Sequence, residues 1–272
     1  MHHIDEDHIT QAVIARHAAS GDARLREVMT SLVQHLHAFA REVKLSEDEW
    51  AGGIGFLAEC GQRNSGERQE LRLLSDTLGL SMLATALNQR KPKGCTEASA
   101  ASPLAAHGAA VRHGQAPAEP CYVRGSVRAL DGAPIAGAEV RIGPAAGGGC
   151  GAALRTDADG RFVCQTSVAA PQQIAHDGPV GRMLQALGRH PWRPAHLHFT
   201  ITAPGCERLA TQVFRRGDPY LDSDAVFGVR TSLVADWLRH EPGRTPDGHT
   251  SAVPFTTLDF AFVLNPTTGD KP

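Results

Sequence analysis

The sequence predicts a mainly β protein with an α-helical N-terminal region: helices over residues 1–95, then a β-sandwich over residues 96–272. Three observations carry this. The first ninety residues repeat apolar side chains at spacings of three and four. From Lys91 the run KPKGCTEASAASPLAAHGAAVRHGQAPAEP is rich in Pro, Gly, Ala and Ser and has no periodicity, which marks a connector. After it come short strand-like segments between Gly and Pro turns, the pattern of a sandwich or barrel.

The elements follow in chain order. Asp22 can cap a helix that carries Leu25, Val28, Met29, Leu32, Leu36, Phe39 and Val43 on one stripe. Ser46 and Glu49 form a capping box ahead of a second helix near residues 47–62. A long third helix is expected over 68–90, with Leu71, Leu74, Leu78 and Met82 on one side. Gly79 inside it would cost about 1 kcal/mol relative to alanine, which points to a close approach there. Strands are expected over 122–128, 138–142, 162–166, 195–202, 209–214 and 258–264. The turn DGAPIAG precedes the second of them, and a tight turn at 157–160 precedes the third.

Composition narrows the class of function. Hydrophobic residues make up 42% and charged residues 21% of the 272, ordinary for a globular protein. A formal charge of −2 gives no electrostatic reason to expect nucleic acid or an anionic membrane as partner. No apolar run approaches the ~20 residues that span a bilayer. The start, MHHIDEDH, is polar and acidic and does not read as a secretory signal. The six cysteines are scattered without a CxxC pair, so reduced thiols and a cytoplasmic location are expected.

The stretch RHPWRPAHLHF (189–199) is the strongest chemical signal. On a strand, side chains alternate faces, so His196, His198, Thr200 and Thr202 point one way and Leu197, Phe199 and Ile201 the other. Two imidazoles on one face are half of a metal site.

With these segments the chain resembles the intradiol ring-cleavage dioxygenases, hydroxyquinol and catechol 1,2-dioxygenases among them. RLREVMTSLVQHLHAFAREVKLSEDEW and ERQELRLLSDTLGLSML are similar to that family's helical dimerisation region. DGAPIAGAEV, RTDADGRF, DGPVGRML, GRHPWRPAHLHF and GDPYLDSDAVFGV are similar to its catalytic sandwich. The resemblance implies a homodimer joined through the N-terminal helices and a ferric ion held by two histidines and two tyrosinates. It assigns the histidine ligands to His196 and His198. Beside the metal it places Arg193, which would stabilise negative charge on a bound ring, and Gln212. Leu73 and Asp76 fall at substrate-pocket positions, the aspartate being typical of hydroxyquinol-like members; Leu73 reads equally well as core.

The same resemblance exposes departures. The family's YPIPxDGPVG reads QQIAHDGPVG here, so Gln172 stands at one tyrosine position. The other falls near Cys150 or Gly151, in a glycine-rich stretch that is also shortened. TESTVLGPF becomes TEASAASPL (96–104), which exchanges bulky lining residues for Ala98, Ala100 and Ala101. The two tyrosines of the chain, Tyr122 and Tyr220, fall at neither ligand position.

Two neutral imidazoles leave a trivalent ion uncompensated in a partly buried site, at a cost of several kcal/mol. Ferric chemistry with tyrosinate ligation is therefore not expected. A divalent ion (Fe, Zn or Cu) suits imidazole, with His176 or Cys150 as a third ligand. The expected partner is a small aromatic molecule, catechol- or hydroxyquinol-like, or an enol. Arg193, Gln212 and His176 would serve catalysis, and Leu73, Asp76 and Gln172 would line the pocket. Two other readings stay open: a non-catalytic partner subunit or aromatic-binding protein, and a 1,2-dioxygenase of ordinary activity.

Overall fold

The computed structural model describes residues 4–65, 68–99, 119–144 and 153–267. It divides into two compact units, residues 1–59 and 60–272. This differs from a division at residue 95, because two of the five N-terminal helices group with the strands.

In the first unit, α1 (Ile9–Arg16) packs beside α2 (Ala23–Glu42), with Thr10 Oγ1 3.0 Å from His37 Nδ1. Asp22 caps α2 as expected, its Oδ1 accepting Leu25 N–H at 2.9 Å. Ser46 and Glu49 form the expected capping box at α3 (Glu47–Gln62), which crosses into the second unit. The apolar stripe of α2 is left in the open: Leu36 and Phe39 are 54% and 53% exposed.

The long third helix is corrected. It is two helices, α4 (Glu70–Thr77) and α5 (Leu80–Asn88), broken at Gly79. Gly79 adopts φ +75°, a left-handed conformation that ends a helix and that other residues rarely take. The ring of Phe227 approaches this position, 3.5 Å from where a Cβ would stand. The apolar repeat runs on across the break, so periodicity alone conceals it.

The strands are β1 (Pro120–Ala129), β2 (Glu139–Pro144), β3 (Leu154–Arg155), β4 (Arg161–Ser167), β5 (Gln172–Gln173), β6 (Trp192–Arg193), β7 (His196–Thr202), β8 (Leu209–Arg215), β9 (Val234–Ala235), β10 (Trp237–His240), β11 (Gly243–Arg244), β12 (Thr250–Ser251) and β13 (Phe255–Leu264). Two sheets have the orders β10-β13-β1-β4 and β3-β2-β7-β8-β9; β5-β6 and β11-β12 are two-stranded. One core joins both larger sheets: Val123, Val127, Phe162, Leu258 and Phe262 from the first, Val140, Leu197, Phe199, Ile201 and Val213 from the second. The rings of Phe199 and Phe262 meet across it at 4.8 Å. Because Leu197, Phe199 and Ile201 take the core face of β7, His196 and His198 fall on the other. A helix not foreseen in the sequence, α6 (Pro179–Ala186), follows Gly178 with proline at its first position.

Candidate active site

The site begins with a register. In the antiparallel pair β7–β8, His198 lies opposite Gln212 and His196 opposite Phe214. Gln212 therefore shares the face of the two histidines. Just upstream, β6 ends in Arg193, and Pro194 and Ala195 turn the chain into β7.

The side chains then interlock. His196 and His198 bring their Nε2 atoms to 3.2 Å. His196 Nδ1 donates to the Pro194 carbonyl at 2.7 Å, which leaves a lone pair on Nε2. Gln212 Nε2 lies 3.2 Å from His198 Nδ1, and Gln212 Oε1 accepts from Arg193 Nη2 at 3.1 Å. Asp224 takes Arg193 Nε at 2.9 Å and Nη2 at 3.1 Å. It also accepts the Gly228 N–H at 2.8 Å, so the carboxylate is held by side chain and backbone together. With Nε and Nη2 engaged, Arg193 Nη1 is directed at His196 Nε2, 3.4 Å away.

Arg193, His196, Gln212 and Asp224 are all buried. Burial, the Arg193 charge and the neighbouring His198 hold the His196 pKa well below the usual imidazole range. Burial and Arg193 push His198 down to about 4. Both rings are neutral at pH 7. The ion-pair partner of Arg193 is Asp224.

Gln172 pairs by its backbone with Arg193 across β5–β6 and is half-buried. Leu73 and Asp76 are buried on α4. Asp76 Oδ1 accepts from Arg72 Nε at 3.0 Å, whereas Oδ2 is buried with no partner among the described residues. His176 does not join the histidine pair: it is exposed, its Nδ1 3.1 Å from the Ile174 carbonyl. No group of three or more His, Cys, Asp or Glu is placed to hold an ion among the described residues. Cys150, Gly151, Ala100 and Ala101 lie outside those residues; Ala98 packs against the sandwich core.

Neither tyrosine is bonded or stacked to His196 or His198 among the described residues; Tyr220 meets His190 edge-on at 5.1 Å. Tyr122 is buried edge-on to Phe255 at 5.4 Å, and Tyr220 stacks on Trp192 at 5.3 Å. No described helix is long and apolar enough to cross a membrane.

One contributor escaped the sequence: Glu70, wholly buried at the start of α4, accepts the Val180 N–H of α6. Its partner lies 110 residues away, and no local pattern announces it.

Comparison with known proteins agrees with this architecture. Residues 22–96 match the family model for the catechol dioxygenase N terminus, and residues 148–266 match the dioxygenase model. The chain is 51% identical to the 6-chlorohydroxyquinol 1,2-dioxygenase of Cupriavidus pinatubonensis, over 98% of this chain and 100% of the relative. That alignment spans 287 positions against 272 residues here, so the relative carries segments that this chain lacks. The hydroxyquinol 1,2-dioxygenase of Nocardioides simplex is 40% identical over 96% of both chains. The crystal structure of hydroxyquinol 1,2-dioxygenase from Pseudomonas putida DLL-E4 superposes with a TM-score of 0.86, at 38% identity, covering 96% of this chain and 98% of that one.

Proposed function

This chain belongs to the intradiol ring-cleavage dioxygenase family, and on that premise we propose that it acts on a catechol- or hydroxyquinol-like ring, or a related enol, through a modified site with two histidines and no tyrosinate. Hydroxyquinol-type substrates head the proposal because the relatives just described carry that name and Asp76 stands on the pocket helix.

The observation that carries it is that His196 Nε2 stands 3.2 Å from His198 Nε2 and 3.4 Å from Arg193 Nη1, on a frame fixed by Asp224 and Gln212. Two imidazoles on one ion, with bonds of about 2.1 Å and near-tetrahedral to right angles, would set their nitrogens ~3.0–3.4 Å apart. The 3.2 Å separation, spanned in the ion-free site by a His198 Nε2–H to His196 Nε2 hydrogen bond, matches that spacing. The donor set fits a divalent ion and not a ferric one. Both rings are neutral, and the nearest fixed charge is the Arg193 cation, whose Asp224 partner already balances it. When bound, such an ion would act as a Lewis acid on a ring hydroxyl.

The residues divide the remaining work. Arg193 Nη1, which points at His196 Nε2 and has no carboxylate partner, is the donor that would turn to an oxyanion of the ring; Asp224 and Gln212 hold the guanidinium in aim. His196 and His198 are poor bases for a phenol. With His198 near 4 and a phenol near ~10, direct proton transfer is uphill by about 8 kcal/mol. The lone pair of His196 Nε2 serves better as a ligand than as a proton acceptor; His198, whose Nδ1 accepts from Gln212 and whose proton therefore sits on Nε2, would join it by moving that proton to Nδ1. Leu73, Asp76 and Gln172 would contact the ring, with Asp76 Oδ2 available to a ring hydroxyl. The open stripe of α2 supports a homodimer formed through the N-terminal helices.

The test is His196→Ala in protein purified without chelators. Binding of Fe(II), Zn(II) or Cu(II) at one ion per chain, and turnover of 1,2,4-trihydroxybenzene with that ion, should both be lost. A variant that keeps either would reject this site.

A further inference from the structure

The segment leading into α6 is tied down from an unexpected side. Helix α6 begins at Pro179, and its N-cap Gly178 offers no side chain to its first free N–H groups. Glu70 supplies the missing acceptor from another helix: Oε1 takes the Val180 N–H at 3.2 Å, while Oε2 takes Arg68 Nε at 2.8 Å. Arg68 continues the link by donating to Asp177 at 3.0 Å, and Arg63 donates to the Asp177 carbonyl at 3.2 Å. Two glycines make this approach feasible. A Cβ on Gly178 would stand 2.4 Å from Glu70 Oε1, and one on Gly181 would stand 1.9 Å from the His176 carbonyl oxygen.

We propose that Glu70 is a positioning residue, whose carboxylate ties helix α4 to the first turn of α6 and so sets the course of residues 172–178 beside Arg193. The inference rests on reading α4 and that segment as walls of the ring site. Glu70 lies one turn from Leu73 and under two turns from Asp76 on the same helix, while Gln172 at the other end of the segment pairs with Arg193. One buried carboxylate thus spans the two walls. Burying it costs free energy unless its oxygens are bonded, and both bonds it makes lead toward this segment.

The experiment uses the full chain with Glu70→Ala, Glu70→Gln and Gly178→Ala, read by amide hydrogen exchange and by anaerobic binding of 1,2,4-trihydroxybenzene. In Glu70→Ala, amides of 172–182 should exchange roughly tenfold faster or more while β1 and β13 keep their protection. The dissociation constant should rise by roughly tenfold. Glu70→Gln keeps a carbonyl acceptor for Val180 and should restore both to within about threefold. Gly178→Ala displaces the same carboxylate from the other side and should reproduce the alanine signature, which keeps the test decisive if Glu70→Ala fails to fold. Unchanged exchange in 172–182, or a loosened segment with undiminished binding, would overturn the proposal. So would a glutamine variant as impaired as the alanine one. If the wild type itself does not bind the trihydroxybenzene, the ligand reading fails, and the exchange measurement still decides the role of Glu70.

Discussion

Arg193 and Asp224, 31 residues apart in sequence, form a buried two-point pair: Nε meets Oδ1 at 2.9 Å and Nη2 meets Oδ2 at 3.1 Å. The pair leaves one guanidinium nitrogen facing the histidines, and it keeps a full positive charge tolerable where water is excluded.

Breaking that pair should be costly. Asp224→Ala leaves the guanidinium uncompensated and strands the Gly228 N–H, so unfolding free energy should fall by about 3–5 kcal/mol. Urea denaturation measures this. A loss under ~1 kcal/mol would mean that water reaches Arg193 and that its aim is not fixed.

Acid should weaken the metal-free protein through His198. Its pKa is about 4 in the fold against the ordinary 6.5, so the unfolded chain takes the proton first as pH falls. The stabilisation is complete above pH 6.5 and is lost progressively toward pH 4. His198 alone contributes about 3 kcal/mol of this change. His198→Gln should flatten the pH dependence of chemical denaturation between pH 7 and 4.5; equal slopes in both proteins would contradict the assignment.

Gln172→Tyr returns a phenol to the segment beside Arg193. With added ferric iron, this variant should develop visible phenolate-to-metal absorption that the wild type lacks. A colourless variant that folds normally would show that the backbone at 172 no longer aims a side chain at the histidines.

The stripe of α2 should hold two copies together. Leu36→Asp with Phe39→Asp should convert a dimer to monomers, as read by light scattering, with the sandwich unchanged by circular dichroism. A wild type that is already monomeric would remove the proposed interface.

Much of this architecture is legible in the sequence, because period-two alternation is a strong signal where one face is buried. Leu197, Phe199 and Ile201 must turn inward, and His196 and His198 then share the other face. Partners across loops are another matter. Asp177 and Asp224 are equally acidic on paper; the fold gives Asp177 to Arg63 and Arg68 and leaves Asp224 for Arg193. His176 reads as a neighbour of the metal position, yet its loop turns it outward to solvent. The break at Gly79 is hidden because Leu78 and Met82 keep the helical spacing across it. Glu70 is invisible for the same reason as Asp224: its partner depends on how distant segments dock.

The site offers an ion two neutral imidazoles and no phenolate. Metal analysis with a visible and resonance Raman spectrum, on full-length protein purified without chelators, tests it most directly. The protein should be colourless and carry at most one divalent ion per chain. A wine-red protein carrying iron, with phenolate vibrations enhanced in the Raman spectrum, would contradict it.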